Sequence, residues 1–495
     1  MKRNAPYLVA LLAVVFASIP LNSYAYSRRP AAPPPSPAAR ASSALANVNK
    51  SDPAAVANAV QTLVASMPPA QVAQAMATVS SIVAASNQNN PGAASAVMTA
   101  AVGRAAALNP QNAPAITRAA VAGLSNTNSS PAVAAAMAQG VMRGSMQVAA
   151  NNPGLASAIT SAAVGAVSSA GNWRNTEGAA GPQSQTYPIP PMSDQAMAAL
   201  ARAITQSAVQ SVSQSGNPGM AAAVTNAAIS AVGNSNASQA TKQAVAQSVT
   251  QSAVQAAIAA NPNSGPMVTN AAVSAAANLG NRGQEAVAQT ITQAAVQTAV
   301  QSAPTQSSVI TTAAVSAASR AGSPTLAAAL SSTVVQTAIA NAPAAQTNQI
   351  SSAATGAAAN APGGNRAAVA QAVAQTAIES SAALALSQGA TPQQSQQAAA
   401  QTAQAVQNTA NQAGIGALTA NTTSAAAVQN AAQNASTGTT NSQRVASNTD
   451  AGLNTGNQGT SNVGQSLPNP GSGGAGSGTS NPNNTGNPIN PSPAS

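Results

Sequence analysis

The chain has 495 residues, of which 4% are charged and 1% are aromatic, and its formal net charge is +10. It has no Cys and no His, and its six acidic residues are scattered between Asp52 and Asp450. Zinc and copper sites are therefore nearly excluded, since their usual ligands are Cys and His, and paired groups for acid–base or nucleophilic catalysis are scarce. We predict a protein that is not an enzyme and that uses no cofactor or metal.

Residues 1–25 have the three parts of a secretory signal peptide. Lys2 and Arg3 precede an apolar run over residues 7–21, and the tripeptide S-Y-A then offers a cleavage site before Tyr26. An uncleaved anchor is disfavoured because the run is shorter than the roughly 20 residues of a membrane span. We expect a secreted protein, extracellular or at the cell surface, with a periplasm as the alternative and with no transmembrane segment after cleavage.

Residues 26–50 are predicted to be a disordered Pro/Ala-rich spacer. The stretch "SRRPAAPPPSPAARASS", from Ser27 to Ser43, is typical of a stiff, extended chain. Arg28 and Arg29 are the only adjacent basic residues in the mature chain. The pI of about 11.3 reflects missing acids more than clustered cations, so no nucleic-acid partner is expected.

Two kinds of apolar segment alternate through residues 51–171 and 194–390. One kind reads "AVAQSVTQSAVQ" from Ala244 and "AVAQTITQAAVQ" from Ala286; the other reads "MVTNAAVSAAAN" from Met267. Copies follow one another at about 39–45 residues, and Asn-Pro or Pro-Gly pairs separate them. This is the length of a helical-hairpin repeat. The fold class predicted is all-α, with Ala-rich helical hairpins stacked as a solenoid between the N-terminal spacer and a disordered C-terminal tail.

The larger apolar residues of each segment predict how its helix packs. Val245, Val249, Val254 and Ile258 follow a 4-5-4 spacing, which places them in two pairs on nearly opposite sides of a helix. Such a helix must be buried against two neighbours, one from the repeat before and one from the repeat after. The alternative is β structure, which the Val and Thr content would favour, but the pattern does not alternate and Ala favours helix.

Glutamines recur every four residues on these helices. Gln206, Gln210 and Gln214 form one such row. Two further rows are the candidate ladder for self-association: Gln247, Gln251, Gln255, Gln289, Gln293 and Gln297. Amide side chains both donate and accept hydrogen bonds, so such a row would pair with another chain or with a polar polymer. The competing interpretation is a solvated face in which Gln replaces Lys and Glu.

Residues 172–193 interrupt the repeats with a Pro-rich loop. The loop holds Trp173, Arg174 and Tyr187, which together are a candidate patch for a partner or a sugar. The alternative is that the two aromatic rings only attach the loop to the flanking helices.

The C-terminal part changes composition. Residues 391–436 are a Gln/Ala-rich transition in which one last helix is expected to end near Gln412. Residues 437–495 are rich in Asn, Gly, Ser and Pro and hold too few apolar groups to offset the entropy of ordering. We predict a disordered tail.

These features together favour a secreted structural protein of the cell surface or extracellular matrix. It would act by self-association, as a homo-oligomer or fibre, and a cell-surface polymer is the second partner considered. The alternative function is a monomeric helical-repeat scaffold that binds a peptide or glycan. Binding to ice or a mineral would need a continuous Thr row, which most repeats lack.

Overall fold

The computed structural model describes residues 34–125, 129–169, 193–214 and 216–437. In these ranges all regular structure is helical, without strands, so the helical interpretation of the repeats is confirmed and the β alternative is wrong there. The signal peptide, residues 26–33 of the spacer, most of the loop at 172–193 and the tail from residue 438 lie outside the described residues.

The described ranges contain nineteen α-helices. They are α1 Pro37–Leu45, α2 Pro53–Ala65, α3 Pro69–Ser86, α4 Pro91–Leu108, α5 Ala113–Ser125, α6 Pro131–Gln147, α7 Pro153–Ser169, α8 Asp194–Ser213, α9 Pro218–Gly233, α10 Gln239–Ala260, α11 Gly265–Gly280, α12 Glu285–Ser302, α13 Ser307–Ala318, α14 Pro324–Asn341, α15 Thr347–Ala359, α16 Gly363–Ser387, α17 Pro392–Gln412, α18 Gly416–Thr419 and α19 Ala425–Ser436.

The helices form two rows, defined by which helices contact each other. From α1 to α17, each odd-numbered helix contacts the next odd-numbered one, and from α2 to α16 each even-numbered helix contacts the next even-numbered one. Consecutive helices also touch across the rows, generally over a smaller surface. We call these sets the odd row and the even row. Contacts restricted to neighbours along the chain are compatible with a helical solenoid.

Proline and a capping side chain fix where many of the helices begin. Pro is the first residue of α2 and α14, where its fixed φ suits a helix and its missing N–H costs no hydrogen bond. Just before these prolines, Asp52 and Ser323 accept hydrogen bonds from backbone N–H groups of the first turn. The Pro residues that separate the repeats therefore start helices rather than only ending them.

Helix α10 shows the burial on two sides that the apolar spacing predicts. Val245, Val249 and Val254 have no exposed surface and Ile258 is 4% exposed. The helix contacts α8 on the side of the preceding repeat and α12 on the side of the following one, besides α9 and α11 in the odd row. The repeated sequence is thus a stacking element with apolar surface on both sides.

Buried hydroxyls run through the odd row. Six side chains that are fully buried each donate to the carbonyl oxygen four residues earlier at 2.7–2.9 Å: Thr117, Thr160, Thr225, Thr269, Thr311 and Ser351. Because each hydroxyl is satisfied within its own helix, it needs no partner from a neighbour. Small polar residues can therefore occupy core positions and let the two rows approach closely.

The spacer prediction is wrong for its last part. Pro37–Leu45 forms α1, with Ser36 as its cap, and Ala41 and Leu45 are buried in the common core. Helix α1 contacts α3 as the first member of the odd row. Proline clusters suggested extended chain through Ser43, but after Pro37 the sequence is Ala- and Ser-rich without another Pro, and Pro at a first helical position favours the helix.

The C-terminal transition holds more helix than expected. Helix α17, Pro392–Gln412, ends where the sequence predicts and begins with a capping box between Thr391 and Gln394. Beyond it, α19 packs on α16 and α17 through a small apolar face that includes Val428 and Ala431. Apart from Val428, its residues are Ala, Asn, Gln and Ser, so little in the sequence marks its apolar face.

Candidate interaction surface

The six predicted ladder glutamines lie on two neighbouring helices of the even row. Gln247, Gln251 and Gln255 follow one line along α10, and the other three follow the same line along α12. All six side chains are half-buried or exposed. None makes a hydrogen bond within the described part of the chain, so their amide groups face solvent. The structure therefore brings the two lines of glutamines, one on α10 and one on α12, side by side on one surface.

The same line of glutamines continues over other even-row helices. Matching the buried positions of α6, α8, α14 and α16 to those of α10 and α12 adds six residues at equivalent places: Gln139, Gln206, Gln210, Gln336, Gln371 and Gln375. We call all twelve residues together the glutamine surface. Gln206 and Gln210, and likewise Gln371 and Gln375, show the same four-residue spacing in the sequence, whereas Gln139 and Gln336 have no such partner within the surface.

Serine hydroxyls hold the helices beneath this surface in register. Ser248 of α10 donates to the carbonyl oxygen of Ala198 in α8 at 3.2 Å, and Ser207 of α8 donates to that of Gln139 in α6 at 3.2 Å. These bonds cross from one even helix to the next. The Gln side chains next to them therefore project from helices whose relative positions are fixed.

Charged residues are concentrated on one edge of the rows. Short links make consecutive helices run antiparallel, so all the links that follow odd helices lie at one edge. The charged residues of that edge, within the described ranges, are Lys50, Asp52, Asp194, Lys242, Arg282, Glu285, Arg320 and Arg366. The described links of the opposite edge contain no charged residue.

Several polar side chains at the charged edge are used to join successive repeats. Asn365 donates to the carbonyl oxygens of Ser319 and Ala321 at 2.8 and 2.7 Å. Arg282 hydrogen-bonds the Asn234 amide oxygen, and Thr241 donates to Asp194 at 2.7 Å. This edge therefore has a structural role in which neighbouring repeats are fixed together.

Three core hydroxyls of the even row lack a partner. Thr250, Thr292 and Ser331 occupy equivalent positions in α10, α12 and α14, are fully buried and make no hydrogen bond within the described part of the chain. Thr205, at the same position of α8, donates to the Ala201 carbonyl oxygen at 2.9 Å. The three hydroxyls point towards the core and are separate from the glutamine surface.

Two cavities lie beside the first and the last helices of the described chain. A cavity of about 590 Å³ between α1 and α2 includes Arg40, Ala59 and Thr62 in its lining. A cavity of about 240 Å³ between α16 and α19 includes Glu379 and Asn430. Neither contains the paired acid and base that catalysis would need. Among the described residues, no three Cys, His, Asp or Glu cluster as metal ligands would.

The candidate patch of Trp173, Arg174 and Tyr187 lies outside the described residues, so its hypothesis stays a prediction. Among the helices that are described, none has the length and apolar character needed to cross a membrane.

No family model matches the sequence, and no curated protein is significantly similar to it.

Proposed function

We propose that this chain is a secreted, non-enzymatic structural protein of the cell surface or extracellular matrix. It acts by self-association of a solenoid of uncharged helical repeats. The observation that carries the proposal is the glutamine surface, whose amide groups cover six even-row helices and, on α10 and α12, have no partner within the described chain.

Neutral amides suit association between copies. Each Gln carries both donors and acceptors, so one array of Gln is complementary to another array of Gln. A single such hydrogen bond adds only about 0.5–1.5 kcal/mol, because water competes for the same groups. Many bonds in parallel are therefore needed, and a repeated surface on a fixed scaffold supplies them.

The terminal helices of the two rows favour lateral over end-to-end association. The outward positions of α17 and α19 are mostly Gln, Asn and Ala, and those of α2 are Ala54, Asn58 and Thr62. Polar terminal helices limit stacking of one repeat array on the next. Three large apolar side chains of the described residues are exposed: Leu108 on α4, and Met267 and Val309 at equivalent positions of the neighbouring helices α11 and α13.

Charges introduced on the glutamine surface test the proposal. In the double variant Gln251→Glu with Gln293→Glu, carboxylates would face an uncharged partner, so self-association should weaken about tenfold or more. Sedimentation velocity of the chain from Tyr26 measures the change.

A matched control places the same charges on the odd row. Thr312→Glu with Gln349→Glu changes exposed residues of α13 and α15 and should leave the sedimentation profile unchanged. Equal weakening by both double variants, or by neither, would contradict association through the glutamine surface. A helical monomer at all concentrations would instead direct attention to a scaffold that binds a peptide or glycan.

A further inference from the structure

The few charges on the even row are distributed unevenly. Beyond the first four residues of each even-row helix, the charged residues are Arg104 on α4, Arg143 on α6, Arg202 on α8 and Glu379 on α16. The helices between them, α10, α12 and α14, carry none there. The surface thus has a cationic part near α4–α8, a neutral centre and an acidic position on α16.

The neutral centre coincides with the complete glutamine rows. Among the six even helices from α6 to α16, α10 and α12 are the middle two. Consider a two-fold axis that lies in the plane of the interface, between α10 and α12 and parallel to them. Rotation about this axis would place α10 of one copy opposite α12 of the other. The same axis would place α6 opposite α16, because each lies two even helices from the middle pair.

We propose that two copies pair face to face through the glutamine surface, with their repeats running in opposite directions. This inference rests on the proposed function and names the partner of the glutamine surface as a second copy of the chain. Gln247, Gln251 and Gln255 of one copy face Gln289, Gln293 and Gln297 of the other. Arg143 of each copy comes near Glu379 of the other at both ends of the interface.

Charge complementarity selects this direction. If the repeats ran in the same direction, α6 and α8 would each lie opposite their own copies, so helices that carry Arg143 and Arg202 would face helices of the same charge, which is unfavourable in an interface. In the opposite direction, the exposed Arg143 meets the half-buried Glu379, whose Oε1 already accepts from Gln375 Nε2 at 3.0 Å. A carboxylate oxygen accepts more than one hydrogen bond, so Glu379 can bind both groups.

The symmetry of the contact also limits its size. A two-fold interface uses the same surface on both copies and is closed once two copies have met. The glutamine surface therefore gives a dimer, and any larger assembly needs a second surface, such as the edge whose links carry no charge.

Cross-linking of single cysteines tests the arrangement, because the chain has no Cys of its own. Gln251→Cys and Gln293→Cys proteins are prepared separately, mixed at low concentration, concentrated and treated with a short bismaleimide. We expect cross-linked dimers in the mixture and at least about fivefold fewer in either protein alone, since residue 251 of one copy faces residue 293 of the other. A Thr312→Cys protein from the odd row is the control and should not cross-link.

Sedimentation of the same samples separates the two proposals. If Gln251→Cys alone cross-links efficiently, the repeats run in the same direction and the inference is wrong. If the proteins associate but no Gln surface variant cross-links, the inference fails while self-association stands. If they sediment as monomers throughout, the proposed function fails as well.

Charge reversal tests the contact between α6 and α16. Arg143→Glu alone should weaken the dimer about tenfold, because it places two carboxylates together at each end. Adding Glu379→Arg in the same chain should restore most of the affinity. A double variant that is as weak as the single one would contradict the Arg143–Glu379 contact.

Discussion

At the scale of single residues, the core of this protein depends on whether each small polar group finds a partner. In the odd row, Thr and Ser hydroxyls bind the carbonyl oxygen of the preceding turn, so burial costs them little. In the even row, Thr250, Thr292 and Ser331 are buried without a partner. A buried hydroxyl that makes no hydrogen bond costs about 1–3 kcal/mol.

Replacing one of these hydroxyls should therefore stabilise the protein. Thr292→Val keeps a β-branched side chain of similar volume and removes the unpaired group, so we expect a gain of about 1 kcal/mol in the free energy of unfolding. Thr205→Val is the matched control, because it removes a hydroxyl at the same position that is bonded to Ala201. It should be neutral or destabilising by up to about 1 kcal/mol. Urea denaturation measures both, and equal effects of the two substitutions would disagree with this explanation.

The glutamine rows show what the sequence predicts at residue scale. A four-residue spacing identifies Gln247, Gln251 and Gln255 as one face of a helix, and α10 places them so. Spacing along one helix does not reveal that α12 lies beside α10 with its own row in register. That depends on which helices pack beside each other in the even row, and contacts between neighbouring helices determine it.

At the scale of elements, glycine decides how closely α4 and α6 approach. A Cβ at Gly140 would collide with the Ser95 carbonyl oxygen, and one at Gly144 would lie 2.5 Å from the Thr99 carbonyl oxygen. The backbones of the two helices are therefore in direct contact, and only Gly leaves room for it.

Alanine at Gly140 should destabilise the fold. The added methyl group overpacks the α4–α6 contact, and we expect a loss of about 1–3 kcal/mol in the free energy of unfolding. Gly165→Ala in α7 is the control, because nothing lies within 4 Å of a Cβ built there. It should gain up to about 1 kcal/mol from better helix propensity. Thermal unfolding followed by circular dichroism compares the two, and a stable Gly140→Ala protein would show that α4 and α6 are not so close.

Helix positions in the centre of the chain are predicted well because the apolar spacing and the breakers agree there. Prediction fails at both ends for physical reasons. Pro-rich sequence hides α1, although a helix that starts at Pro37 needs only Ala41 and Leu45 to pack. Polar composition hides α19, which buries little and is held by contacts with α16 and α17.

At the scale of the whole molecule, contacts between neighbouring helices form two rows. Different kinds of side chain lie on different parts of the surface of these rows. Polar bonds and most of the charges occupy the edge that joins the repeats, and neutral amides occupy the centre of the even row. A broad neutral surface suits the self-association that we propose, because unpaired charges are costly in an interface.

Sedimentation velocity of the chain from Tyr26 to Ser495, over a hundredfold range of concentration and with far-ultraviolet circular dichroism on the same samples, tests self-association most directly. We expect a strongly helical signal and species that grow from monomer to dimer or larger as concentration rises. A helical monomer at every concentration would contradict the structural role, and a signal without helix would contradict the repeat architecture itself.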